Sequence, residues 1–240
     1  MNILGFCAAK RPFNPDVFQN QFRPMKPSFK ALGTLFLAVP FATPASAAEG
    51  GAALPARFVN DDTAEVAEVR RLGGDAINRL AVTLVREVTS AIAKDGPEAA
   101  VDVCHLKALP MTNGTVAGLP RITAVKRTSL KLRNPANAPD AADQLALDYI
   151  RQQMENGDAP SALLIQRVES PSAAPEWRVY KPLGVTTTCL ACHGDPAEQS
   201  AALRAKLSAL FPADQATGYN AREWRGLIRV TVADAPAKKP

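Results

Sequence analysis

Apolar residues recur at helical spacing from Phe58 to Lys94, at Val66, Val69, Ala76, Ile77, Leu80, Leu84, Val88 and Ile92, with charged residues between them. The pattern predicts one long amphipathic helix, whose apolar stripe must be covered by another element. Asn60, Asp61 and Asp62 offer N-cap side chains near its start, and Gly73-Gly74 is expected to weaken or kink it midway. Gly96-Pro97 should stop it and begin a second helix running to about Ala108, with Pro110 as the end. Beyond a Gly- and Asn-containing loop, Arg121–Leu132 reads as one or two extended segments and Asn134–Asp140 as a Pro-punctuated loop. Asp140–Asn156 reads as a helix and Pro196–Leu210 as another. Ala162–Val168, Trp177–Tyr180 and Trp224–Val232 are the strand candidates. Helices come first and strands cluster later, which predicts an α+β domain with an antiparallel sheet.

The basic excess of the whole chain, 28 Lys+Arg against 23 Asp+Glu for a net +5, invites a nucleic-acid or anionic-membrane reading until it is located. Ala31–Ala48 is apolar, follows the positive segment Met25–Lys30, and ends in the small-residue pattern Ala45-Ser46-Ala47. It is shorter than the ~20 apolar residues a membrane span needs and carries Pro40 and Pro44, so it reads as a secretory signal cleaved near Ala47. The expected layout is a non-physiological extension over 1–24, a signal peptide over 25–47, a linker over 48–57, one domain over 58–232 and a tail over 233–240. Removing residues 1–47 takes away five basic side chains and one acidic one, which leaves 23 against 22 and a net charge of +1. The nucleic-acid reading loses its support, and a periplasmic protein is expected. Three cysteines remain, Cys104, Cys189 and Cys192, with two histidines, His105 and His193.

Cys189-Leu190-Ala191-Cys192-His193 has the Cys-x-x-Cys-His spacing of c-type haem attachment. Two thiols one turn apart reach the two vinyl groups of a porphyrin, and the adjacent imidazole lies under the iron as proximal ligand. A thioredoxin-like pair would sit near a βαβ unit, which is not seen. Zinc would need a further ligand pair, for which only Cys104 and His105 remain. A structural disulfide is the third competitor. One motif implies one haem c. Its sixth position has Cys104, His105, Met111 and Met154 as candidates. Adjacent helical residues point ~100° apart, so Cys104 and His105 cannot both face the iron. The Cys104 face carries Pro97, Ala100, Val101 and Ala108, whereas the His105 face carries Glu98 and Asp102, which favours Cys104. A small buried hydrophobe is the plain alternative for Cys104.

Several segments occur together in a recognisable order: Ala99–Cys104 before Ala108-Leu109-Pro110, Leu132–Asp140, Tyr180-Lys181-Pro182, the Cys189–Gly194 motif, then Ala216–Tyr219 and Trp224-Arg225-Gly226. The series resembles the bacterial and cyanobacterial c-haem proteins with a PAS-like fold, from about Val66 to Val232. The resemblance implies a central antiparallel sheet with a long N-terminal helix and flanking helices. It also implies a covalent haem with Cys189 and Cys192 at the thioether positions, and His193 and Cys104 as axial ligands. His105 departs from that pattern and leaves a Cys/His exchange open. The expected function is that of a monohaem cytochrome in redox sensing or low-potential electron transfer, with a separate redox or signalling protein as partner. A gas- or small-molecule-binding sensor or reductase with a displaceable sixth ligand is the alternative. No catalytic triad, phosphate loop or acid/base pair marks an enzyme. The basic stretch Arg121, Lys126, Arg127, Lys131 and Arg133 reads as a solvated sheet surface, within which Arg133 is a candidate for pairing with a haem propionate. Trp177 and Trp224 read as core or haem-packing residues.

Overall fold

The computed structural model describes residues 56–104, 114, 117–170 and 173–236. The expected leader, His105 and Met111 lie outside the described residues. The fold is α+β and PAS-like. Five strands, β1 (Ala56–Phe58), β2 (Ile122–Thr128), β3 (Leu164–Ser170), β4 (Ala173–Gly184) and β5 (Trp224–Ala233), form one antiparallel sheet in the order β1-β3-β4-β5-β2. Among the described residues no helix is long and apolar enough to cross a membrane.

The predicted long helix is α1, Ala64–Asp95. Thr63, rather than Asn60, Asp61 or Asp62, supplies its cap, its side chain accepting from the Val66 N–H at 3.3 Å. Glu65 in the first turn and Lys94 in the last complement the helix dipole. Val66, Val69, Leu72, Ala76, Ile77, Leu80 and Leu84 are buried against Ile165, Val179, Ile228, Val230 and Val232 of the sheet. The helix runs unbroken through Gly73-Gly74, against the expectation of a weak point. At Gly73 a Cβ would stand 2.5 Å from the side chain of Val179, so the glycine is where helix and central strand approach most closely.

The other face of the sheet is covered by α3, Ala141–Glu155. Between α1 and α3, α2 occupies Pro97–Asp102, and the chain continues with wider, π-type winding at Val103 and Cys104; the rest of the expected helix, to about Ala108, lies outside the described residues. Ala146, Leu147 and Ile150 of α3 pack on Leu164, Tyr180 and Leu227. Its first turn is a capping box: Asp140 accepts from Asp143 N–H and Asp143 accepts from Asp140 N–H. α4 is the single turn Leu190–His193, and α5 is Ala201–Leu210, capped by Ser200. The predicted helix over Pro196–Leu210 is therefore broken, with Pro196–Glu198 forming a separate 3-10 turn. Strand β4 extends well beyond Trp177–Tyr180, and β1 was not expected from its sequence.

Of the basic stretch Lys131 is exposed, but the other four side chains are part-buried rather than a solvated surface. Period-2 alternation along β2 sends Lys126 to the α3 face, where it meets Asp143 at 3.1 Å, and puts Arg127 on the α1 face with Val125 and its register partner Ile228. Arg121 pairs with Glu65 of α1, and Arg133 pairs with Asp214.

Candidate functional site

The Cys-x-x-Cys-His segment follows the end of β4. Cys189 closes the 3-10 turn Thr187–Cys189 with its N–H bonded to the Thr186 carbonyl at 3.0 Å, and α4 then carries Cys192 and His193. Gly194 N–H donates to the Leu190 carbonyl at 2.8 Å. A Cβ at Gly194 would lie 2.7 Å from that same carbonyl oxygen, so the residue after the histidine has to be glycine for the turn to close.

A second segment, Asp214–Tyr219, docks on this turn. Gly218 N–H donates to the Gly194 carbonyl at 2.8 Å and Tyr219 N–H to the His193 carbonyl at 2.9 Å. The ring of His193 places Nδ1 2.7 Å from the Ala216 carbonyl. A carbonyl only accepts, so Nδ1 carries the proton and Nε2 keeps its lone pair. Burial, reinforced by the charges of Arg133, Arg225 and Arg127, pushes the His193 pKa down to about 3. The imidazole is neutral at any ordinary pH, oriented by a backbone carbonyl, and equipped to donate Nε2 to a metal. The Tyr219 ring stands edge-on to it, 6.3 Å between centroids.

Arg133 secures both segments. Its Nε donates to Asp214 at 2.9 Å and its Nη2 to the carbonyls of Cys192 at 2.6 Å and Ala216 at 3.3 Å. Asp214 in turn accepts from Ala216 N–H at 2.8 Å. The two side chains are only 10% and 11% exposed, so this is an interior clamp. Nε and Nη2 are thereby committed to the protein.

Cys104 is brought in by another segment, two residues past the end of α2. Val101 of that helix packs with Leu203, Leu207 and Phe211, and Cys192 packs against the same cluster. Two polar ties hold α2 to α5, Ser200 to Glu98 and Lys206 to Asp102. Burial pushes the Cys104 thiol up, while Arg127 and Arg133 pull it down and Cys189 pushes it up. The Cys192 thiol is likewise raised by burial, lowered by Arg133, and raised by Cys104, Glu98 and Cys189. The three thiols, all free, therefore lie within electrostatic reach of one another. Ala100 and Val101 are buried as the helical phase predicts.

Met154 does not join them. It sits in the last turn of α3, 38% exposed, in a shallow groove with Arg151 and Trp224. Both tryptophans are core: Trp177 packs in the α1 cluster and Trp224 packs beside Tyr180, its indole N–H donating to the Gly226 carbonyl at 2.8 Å.

The donor set fits a flat macrocycle better than a bare ion. Among the described residues no three His, Cys, Asp or Glu side chains gather closely enough to hold a metal ion alone. What is present is a neutral imidazole with a free Nε2, two thiols on adjacent turns, a third thiol from another helix, and guanidinium groups around them.

The family model described as Tll0287-like (Tll0287) matches residues 81–233, which span Cys104, the Cys189–His193 motif and every strand but β1. The chain belongs to the Tll0287-like family. The crystal structure of the cyanobacterial heme-protein Tll0287 is 21% identical, with a TM-score of 0.48, covering 73% of this chain and 98% of that one. No curated protein matches.

In this Tll0287-like chain the sequence named Ala216–Tyr219, Arg127 and Arg225 without giving them a role, and passed over Asp214; the structure brings Asp214, Ala216 and Tyr219 to the His193 turn and sets Arg127 and Arg225 in its electrostatic surroundings. Ala216 acts through its carbonyl and carries no signal in its side chain. Arg127 could have been found from the period-2 alternation of β2.

Proposed function

We propose that the mature protein is a monohaem c-type cytochrome of the periplasm. In this reading Cys189 and Cys192 form the two thioether bonds, His193 Nε2 is the proximal iron ligand, and Cys104 Sγ is the distal one. The observation that carries the reading is the Nδ1–H bond of His193 to the Ala216 carbonyl, which leaves Nε2 unprotonated in a turn whose two thiols have thioether spacing. The relative named as a heme-protein supports it. The haem would supply one-electron chemistry at iron. Cys104 in its anionic form favours the ferric state, so the work is redox sensing or low-potential electron transfer to a separate protein rather than turnover of a substrate.

Haem-stained denaturing electrophoresis of protein matured in an exporting host tests attachment; a stained band is expected, and its absence ends the reading. Ferric spectra then test the distal ligand. A six-coordinate thiolate-type spectrum is expected, abolished in Cys104→Ala and retained in His105→Ala, and the opposite pattern moves the ligand to His105. Rapid carbon monoxide binding by the ferrous protein would instead favour the gas-sensor or reductase alternative.

A further inference from the structure

Among the described residues the charge around His193 does not balance. Arg127, Arg133 and Arg225 all act on its imidazole. The carboxylate that answers them is Asp214, and Arg133 holds it. Among the described residues Arg225 has only uncharged partners: its Nη1 donates to Ser129 Oγ at 2.6 Å and to the Lys131 carbonyl at 3.0 Å, and it also bonds the Tyr219 side chain, whose ring centroid lies 5.4 Å from the guanidinium. The Arg127 side chain makes no hydrogen bond or ion pair among the described residues, although it occupies the same sheet face as buried Val125. Burial lowers the pKa of both, and the two guanidinium groups are close enough to repel each other. A cation taken out of water without an anion is unfavourable, and folded proteins keep such groups where a ligand brings the opposite charge.

We propose that Arg127 and Arg225 form a dicarboxylate receptor and hold the two propionates of the porphyrin. Arg133, with Nε and Nη2 spent on Asp214, Cys192 and Ala216, positions the motif instead. Guanidinium suits this role because it stays charged and offers paired N–H donors matched to a carboxylate. The assignment rests on the haem reading of the site.

The test uses the haem-loaded full chain and reads the propionate bending band in its resonance Raman spectrum. Arg127→Leu and Arg225→Leu should each move the band to lower frequency, as a propionate loses its strongest donor, and Arg127→Lys and Arg225→Lys should restore part of the shift. Arg127→Gln and Arg225→Gln keep a polar side chain and serve if a leucine variant does not fold. An unmoved band in both sets overturns the proposal, as does a shift produced by Arg133→Gln alone. Wild-type protein without covalent haem fails differently, because it defeats the haem reading before any variant is compared.

Discussion

Two clusters of arginine, one on the α3 face of the sheet and one beside the His193 turn, are built differently. On the α3 face, Asp143 is fully buried and accepts from Lys126 at 3.1 Å, from Arg229 at 3.1 and 3.2 Å, and from the Tyr180 hydroxyl at 3.1 Å. Arg178 bonds Asp140 at 2.7 Å and Glu176 at 2.7 Å. Three cations meet three carboxylates, and the network closes on itself. Arg127, on the α1 face, and Arg225, at the irregular start of β5, have no carboxylate partner among the described residues. A closed network holds α3 on the sheet; an open one is arranged for an anion that comes from outside the chain. The dividing device is the strand period, which sends the neighbours Lys126 and Arg127 to opposite faces.

The strongest way to break this contrast is to remove the anion at the centre of the closed network. Asp143→Ala takes from Lys126, Arg229 and the Tyr180 hydroxyl the buried carboxylate they share, leaving Arg229 with Asp140 alone, and should lower unfolding stability by ~3–5 kcal/mol, measured by urea denaturation. A loss under ~1 kcal/mol would mean the network is not closed as described.

Acid should separate the two faces. The folded-state pKa of His193 is about 3 against an ordinary 6.5, so the unfolded chain binds the proton first. Its contribution is complete above pH 6.5 and is lost as pH falls toward 3, at ~1.4 kcal/mol per pH unit in the haem-free protein. Asp140 is held below its ordinary 3.8: burial works against this, but its bonds to Arg178 and the Asp143 N–H and the charge of Arg229 outweigh it. Its contribution persists above 3.8 and goes only as pH falls through the lower folded value. Denaturation midpoints recorded from pH 7 to pH 4 should therefore drop in the wild type and much less in His193→Gln.

Arg133→Gln, which cuts the clamp on Cys192 and Ala216, should cost ~1–3 kcal/mol. It should also reduce the yield of haem attachment, read from the ratio of Soret to protein absorbance.

The smallest effect has the most telling sign. Arg127→Leu should stabilise the haem-free chain by ~1 kcal/mol, because an unanswered cation is removed, whereas Arg229→Leu should destabilise it. Equal destabilisation by both would erase the distinction between the faces.

Much of the fold was legible because α1 and α3 each pack one face on the sheet, so their 3.6 period survives in the order of residues. Strands β3 and β5 were legible as β-branched runs. Strand β1 was not, since three residues carry no period and form a strand only because β3 offers an edge. Nor was the length of β4, whose Pro175 and Pro182 are accommodated within a pairing that the two neighbouring strands impose. In the site, Cys189, Cys192 and His193 announced themselves by spacing, and Cys104 by helical phase. For Arg133 the sequence suggested a propionate partner, whereas its bonds to two backbone carbonyls and Asp214 were not legible.

Local chemistry is written in adjacent residues, so the order of side chains alone determined the turn that pairs two thiols with an imidazole, the helix that brings a third thiol, and the α+β class. The tautomer of His193, the burial of Asp143 and the isolation of Arg127 and Arg225 belong to tertiary structure. Each depends on which carbonyl, carboxylate or hydrophobic face the folded chain carries to that point, and those partners lie 17 to 96 residues away in sequence, as Lys126 does from Asp143 and Ser129 does from Arg225. Electrostatic free energy follows distance in space and burial from water, neither of which is recorded in a residue's neighbours along the chain.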